Sequence, residues 1–409
     1  MPDSAATSVS PVRNLRRRDS QQWLLDYVVR ESGEAQNFEH EARRFPEGVK
    51  NYRMIAKLMG ERARQAEAIA TNAETHGNAK TAEQMYWIAV EQYRLSQHAI
   101  FEDDHPVKLQ LYAGLQRCFD RIMALSPSPI ERVEVPFEGS SIQLVMHLLP
   151  DRRRAPVVLY VPGMDETKES SGSPRSYFLQ RGVHYAAMDG PGQGMSNIRK
   201  LRVTDDNYER AGSAVIDYLA ARSEVDAGRI GLMGRSMGSF WAPRIAAHDP
   251  RVNALAATSA CFAPKLFIFD QASPRFKQVF MYMAGLTDDE DAFDAMADRM
   301  VLTGYAARIS CPTLLVTGEF DPLSPVEYAK AVFDELSGPK ELWVRENNFH
   351  KSRNEYDLGG AQIEMFIADW IVDRLQGKEL PDRVRMQYVR QGGAGPYDSP
   401  FPDDYPWRW

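Results

Sequence analysis

The chain has 409 residues, 44% of them hydrophobic and 26% charged, with a formal net charge of −7. That length suits two or three folded units, and the composition is that of an ordinary globular protein with a sizeable core. The acidic balance argues against nucleic acid as a partner, which calls for a basic footprint, and leaves small-molecule substrates open, since net charge says little about a buried pocket.

Residues 1–20 read as a mobile tail rich in Ser and Arg. Arg16-Arg17-Arg18 has the look of a twin-arginine signal, but the apolar stretch that follows, 23–29, is short and interrupted by Asp26, which argues against export. Residues 21–129 are expected to form a helical N-terminal (cap) domain. Ala82, Met85, Tyr86, Ala89 and Tyr93 recur at helical spacing, as do Leu111, Leu115, Phe119 and Ile122. Ser126-Pro127-Ser128-Pro129 then breaks the pattern and marks a boundary.

From 130 to 378 the period changes to two. Val133, Val135 and Phe137 alternate with charged residues, a Gly139-Ser140-Ser141 turn follows, and Ile142, Leu144 and Met146 alternate after it, which predicts a hairpin. Short apolar runs come next at 157–161, 183–188, 230–233, 254–258, 313–317 and 342–344, with helix-like stretches such as 208–222 and 325–336 between them. Buried strands alternating with helices predict an α/β fold, a mostly parallel central sheet with helices on both faces. Between 262 and 302 the spacing stretches and Phe, Met and Tyr crowd together, which reads as a helical insertion over the sheet's active edge, a candidate lid; ordinary packing against the N-terminal helices is the competing reading. Residues 379–409, rich in Pro, Gly and aromatics towards the end, are expected to run as an extended arm over a neighbouring surface, another subunit being one choice.

Cys118, Cys261 and Cys311 lie far apart without CxxC spacing, so neither a zinc site nor a disulfide framework is expected, and a reducing cytoplasm is the simplest home. No His, Asp or Glu cluster has metal-ligand spacing, so no metal is expected. No apolar run reaches the roughly 18 residues that span a bilayer, so no membrane partner is expected.

The chemistry centres on Gly234-Arg235-Ser236-Met237-Gly238, preceded by the strand-like 229–233 and followed by a helical stretch at 240–248. Strand, sharp turn and helix are the context a nucleophile elbow needs, and they present Ser236 at a helix N-terminus where negative charge is favoured. A serine hydroxyl needs a base, and the order expected in such a fold is Ser, then a carboxylate, then His. Asp321 ends the apolar run 314–317 after a Gly318 turn, with Glu319 the competing carboxylate within the turn. Of the eight histidines His350 alone lies beyond Asp321, on a loop after 342–344. His184, inside an apolar run, reads as a satisfied core histidine, and His98 and His105 as solvated or structural. An oxyanion hole needs two backbone N–H groups, which we expect from Met237 and from Met164 in the Pro162-Gly163-Met164-Asp165 loop, where Gly163 permits close approach. Gly163 and Asp165 are expected beside the substrate. Asp189-Gly190-Pro191-Gly192-Gln193-Gly194 lacks the ending of a phosphate loop and reads as a tight turn.

Taken together, Gly163-Met164-Asp165-Glu166-Thr167-Lys168-Glu169, the 189–194 turn and the Ser236 elbow resemble one branch of the α/β-hydrolases. That branch holds the 2,6-dihydroxypseudooxynicotine hydrolases, the fermentation-respiration switch proteins and fungal polyketide-shortening hydrolases. The resemblance runs from about residue 45 to 378 and implies a homodimeric enzyme without cofactor, its substrate held between the N-terminal helices and the catalytic edge. It further implies hydrolysis either of a carbon–carbon bond next to a ketone or of an ester, in an aromatic or polyketide-like substrate. Thioester hydrolysis or acyl transfer would use the same residues, and a non-catalytic binding protein is the remote alternative. Two positions depart from the branch pattern, Pro162 and Ser239, where relatives carry Gly. Carbon–carbon cleavage in relatives implies an extra pocket carboxylate, for which Asp270 is the candidate here.

Overall fold

The computed structural model describes residues 53–170, 172–350, 358–397 and 399–407. The expected tail at 1–20 and the start of the helical segment lie outside the described residues. Three long helices come first, α1 (Arg53–Thr75), α2 (Ala79–His98) and α3 (Pro106–Leu125). Pro106 stands at the first turn of α3, where its missing N–H has no intrahelical use. Tyr86, Ala89 and Tyr93 of α2 meet Leu111, Leu115, Phe119 and Ile122 of α3 in one buried cluster, as the helical spacing predicts. Ala63, Ala66 and Ala70 of α1 let that helix approach closely. The cluster ends on Val145 of the sheet, so the helical unit is seated on the rest of the chain.

The sheet has nine strands: β1 (Ile130–Phe137), β2 (Ser140–His147), β3 (Ala155–Val161), β4 (His184–Asp189), β5 (Val225–Arg235), β6 (Val252–Thr258), β7 (Thr313–Gly318), β8 (Lys340–Arg345) and β9 (Val384–Val389). Their order is β1-β2-β4-β3-β5-β6-β7-β8-β9. Only the β1/β2 and β2/β4 pairs are antiparallel. Glu138 and Gly139 both take positive φ between β1 and β2, as a two-residue hairpin turn requires. The expected α/β architecture is what the chain adopts.

Every residue of β3, β4 and β7 is buried, because helices cover both faces. Leu159 and Val161 point to one face with α6 (Asn207–Ala220), α7 (Met237–His248) and α10 (Val326–Glu335). Val158 and Tyr160 point to the other with α4 (Gly172–Gln180) and α11 (Ile363–Leu375). A short α5 (Gly194–Ile198) follows the 189–194 turn.

The insertion between β6 and β7 holds a π-helical turn (Leu266–Asp270), α8 (Pro274–Ala284) and α9 (Glu290–Asp298). Phe269, Phe280 and Phe293 meet in tilted and edge-on pairs with centroids 5.1 to 6.0 Å apart and join the core on the α7 face. Tyr282 reaches the helical unit, 6.3 Å from Phe101 between ring centroids. The insertion thus packs against both neighbours.

The expected extended arm contains an element its composition concealed. Residues 384–389 add strand β9 parallel to β8, saturating an edge that would otherwise present open backbone groups. The chain then folds back: Tyr388, Phe401, Tyr405 and Trp407 form an aromatic cluster. The surface covered by these residues is this chain's own sheet edge. Among the described residues no helix is long and apolar enough to cross a membrane.

Candidate active site

Ser236 follows the last residue of β5 and caps α7 with φ 53° and ψ −126°. A non-glycine residue holds such a conformation only where its surroundings over-determine it, at a cost of about 1–3 kcal/mol. Here its N–H donates to the Thr258 carbonyl (3.0 Å) and its own carbonyl accepts from Ser239 N–H (2.7 Å). At Gly238 a Cβ would overlap the Val161 carbonyl of β3, so the elbow packs backbone to backbone. Met237 opens α7, where the N–H has no intrahelical acceptor.

Two further strand ends bring the remaining groups. Asp321 lies just beyond β7 with its side chain fully buried, and His350 lies on the loop after β8. His350 Nδ1 is 2.8 Å from Asp321 Oδ2, and His350 Nε2 is 2.9 Å from Ser236 Oγ. The other Asp321 oxygen accepts from Leu323 N–H at 2.9 Å, which fixes the carboxylate plane. Glu319, the rival carboxylate, turns elsewhere: it accepts from Asn347 N–H (2.9 Å) and from the Tyr388 hydroxyl (2.9 Å). It thereby ties the loop that carries His350 to β9. Phe320 N–H donates to the Asn348 carbonyl (2.9 Å), a second tie between the Asp and His loops.

The 162–165 loop lies directly on Ser236. A Cβ on Gly163 would stand 3.0 Å from Ser236 Cβ and 3.5 Å from Ser236 Oγ. Gly163 N–H donates to Glu166 (3.1 Å), whose carboxylate also accepts from the Tyr160 hydroxyl (2.9 Å) and from Arg235 (3.3 Å). Gln193 donates to the carbonyls of both Pro162 (3.2 Å) and Gly163 (2.8 Å), and the Gly190 N–H orients its amide oxygen. From the helical unit, buried Arg94 donates to the Asp165 carbonyl. The loop is therefore braced from three sides.

The 189–194 turn is structural, as expected, and adds a buried charge network. Lys168 Nζ lies 2.6 Å from Glu169 and 2.9 Å from Asp189, and Gln116 of α3 donates to Glu169 at 2.6 Å. Burial raises the Asp189 carboxyl above the ordinary range, with Glu169 adding to the shift and Lys168 opposing it. Burial and then the Asp321 charge push the Cys261 thiol well above its usual value, so it stays a neutral neighbour of Ser236.

Ser236, Asp321, His350, Gly163, Met164 and Met237 thus converge at the carboxyl ends of the parallel strands. Asp165 is held there by its carbonyl. Asp270 lies beside a buried lysine. It sits on the insertion's π-helical turn, 3.8 Å from Lys277 Nζ, where that buried ammonium also meets Glu290 and Asp294 at 2.7 Å each. A lysine so deeply buried draws the nearby carboxylates to itself. His184 is satisfied as expected: its Nδ1 accepts from Leu149 N–H and its Nε2 lies 3.0 Å from the Arg153 carbonyl. Glu166, Gln193, Arg94 and Glu319 act through side-chain bonds to backbone, and their spacing in the sequence carries no signal of that role. Among the described residues no group of three or more His, Cys, Asp or Glu is placed to hold a metal ion.

A family model described as Esterase FrsA-like matches residues 35–376. A 2,6-dihydropseudooxynicotine hydrolase of Paenarthrobacter nicotinovorans is 29% identical over 267 residues, 64% of this chain and 69% of that protein. Hydrolase LUC6 of Fusarium sp is 28% identical over 340 residues, 69% of this chain and 79% of that one. The solved structure of a 2,6-dihydroxy-pseudo-oxynicotine hydrolase matches with a TM-score of 0.71 at 24% identity, over 84% of this chain and 95% of the other.

Proposed function

This chain belongs to the FrsA-like esterase family and is an α/β-hydrolase, and from that premise we propose that it cleaves an acyl bond through a Ser236-His350-Asp321 triad. The observation that carries this reading is the unbroken chain of hydrogen bonds, 2.9 Å from Ser236 Oγ to His350 Nε2 and 2.8 Å from His350 Nδ1 to Asp321. His350 takes the hydroxyl proton as Ser236 attacks a carbonyl, and buried Asp321 orients the ring and stabilises the imidazolium. Gly163 N–H is engaged by Glu166, which leaves the Met164 N–H, with that of Met237, to receive the oxyanion. His350 then returns the proton to the leaving group, and water releases the acyl-enzyme.

The substrate class we propose is an aromatic or polyketide-like molecule with an ester, or with a carbon–carbon bond next to a ketone. One observation favours the ester: Asp270, the candidate extra carboxylate for carbon–carbon cleavage, lies beside Lys277. Ser236→Ala should lower kcat on p-nitrophenyl esters by a factor on the order of 10⁶ and abolish labelling by a fluorophosphonate. Near-wild-type turnover by the purified variant would refute the triad.

A further inference from the structure

We propose that Gln193 is a positioning residue for the oxyanion hole, holding the peptide whose N–H meets the developing charge. The inference rests on the triad reading above and names what aims the Met164 donor. Gln193 is buried and caps the start of α5. Its amide nitrogen donates to the Pro162 carbonyl at 3.2 Å and to the Gly163 carbonyl at 2.8 Å, using both hydrogens. Its amide oxygen accepts from Gly190 N–H at 3.1 Å and from the Tyr208 hydroxyl. Every bonding capacity of the side chain is thereby used, and a flipped amide would set its oxygen against two carbonyls.

The Gly163 carbonyl and the Met164 N–H are the two ends of one planar peptide. That peptide is trans, so its C=O and N–H point to opposite sides, and a donor that holds the oxygen turns the hydrogen away from Gln193. The peptide before it is bonded at both ends, the Pro162 carbonyl to Gln193 and the Gly163 N–H to Glu166 at 3.1 Å. The 163–164 peptide is bonded at its oxygen, while among the described residues the Met164 N–H has no acceptor. This stretch lies against the nucleophile of the triad reading, since a Cβ on Gly163 would stand 3.0 Å from Ser236 Cβ. A hydrogen bond to the carbonyl also polarises the peptide and strengthens its N–H as a donor. The turn fixes Gln193 in its place: its N–H donates to the Gly190 carbonyl at 3.0 Å, and two residues on Asp189 accepts from Met195 N–H at 2.9 Å. Gln193 thus acts through Met164 without meeting the substrate.

The test uses the full chain, p-nitrophenyl butyrate, and a fluorophosphonate, whose phosphoryl oxygen enters the oxyanion hole as Ser236 attacks phosphorus. The second-order rate constant of labelling does not depend on how much of a preparation is folded. Gln193→Met, similar in length and without a donor, should lower that constant and kcat per labelled site together by about 10- to 100-fold, with KM within about threefold. The loss is smaller than for a missing donor because Glu166 N–H still reaches the Gly163 carbonyl at 3.3 Å. The pH midpoint of labelling, set by His350, should stay that of wild type. Should Gln193→Met not fold, Gln193→Glu is labelled at about pH 9, where Gly190 N–H and the Tyr208 hydroxyl favour the ionised carboxyl and its second oxygen repels the two carbonyls. The same loss is expected there. Labelling within about threefold of wild type in the variant that folds overturns the positioning role and leaves the triad standing. A displaced midpoint assigns the damage to the base and overturns it equally. If wild type is not labelled at Ser236, the triad reading has failed and the positioning role fails with it.

Discussion

Gly163→Ala tests the oxyanion loop with a single methyl. Gly163 is not among the residues with positive φ, so alanine meets no backbone penalty and the effect comes from contact alone. The new methyl would stand 3.0 Å from Ser236 Cβ, 3.4 Å from the Arg235 carbonyl and 3.5 Å from Ser236 Oγ. Comfortable carbon–carbon separation begins at about 3.5 Å, so the loop or the serine must yield by about half an ångström. Neither is free to do so: Ser236 is tied to Thr258, and Gly163 is tied through its N–H to Glu166 and its carbonyl to Gln193. The shift falls on the next residue, Met164, whose N–H is the proposed donor. Losing one such donor costs about 10² to 10³ in kcat, while overpacking costs the fold about 1–3 kcal/mol. Steady-state kinetics on p-nitrophenyl butyrate should therefore show a fall in kcat with little change in KM, in a protein that still melts cooperatively. A Gly163→Ala enzyme within threefold of wild type in kcat would refute the assignment of the donor to this loop.

Asp321→Asn should cost about 10⁴ in kcat through loss of the imidazolium partner and a wrong ring tautomer. Glu319→Gln, whose amide oxygen can still accept from Asn347 N–H while its NH₂ donates to the Tyr388 hydroxyl oxygen, should stay within about tenfold; equal losses in the two variants would remove the distinction between the carboxylates. Burial lowers the Lys108 ammonium from its ordinary value to about 7. Above that pH the unfolded chain keeps a proton the folded chain has released, so stability from this residue rises as pH climbs from about 7 towards 10. Lys108→Met should flatten that part of the melting-temperature profile, measured by scanning calorimetry.

The strands and the three side chains of the proposed triad were legible because each leaves a local mark. Buried parallel strands must be apolar runs, and the elbow has no room for a side chain at Gly234 or Gly238. His350 stood out because chain order left one histidine after Asp321. The braces were illegible because their bonds span long separations: Arg94 meets Asp165 and Glu319 meets Tyr388, and no period or spacing records a side chain reaching a distant partner. Strand β9 was concealed by its length, six residues followed by a run of Gly and Pro. Asp270 was expected in the pocket on position alone. What sets its place is Lys277, seven residues on, whose buried charge draws in the nearby carboxylates.

Pro162 and Ser239 are the two departures from the pattern that the resemblance implies. Pro162 has no N–H to offer, and its carbonyl is taken by Gln193 at 3.2 Å, so the substitution fixes the loop's path without touching the Met164 N–H. Ser239 is fully buried, and its hydroxyl accepts from Cys261 N–H at 2.8 Å. Next along the chain, Phe262 and Ala263 N–H donate to the Ser324 hydroxyl at 3.0 and 3.3 Å. The root of the insertion is thus bonded to the nucleophile's helix on one side and to the loop after Asp321 on the other. Phe269, Phe280 and Phe293 fill the insertion's interior, and its root shares its anchors with the segments that carry Ser236 and Asp321. On the triad reading, both departures therefore fall on anchors rather than on atoms that meet the reacting carbonyl.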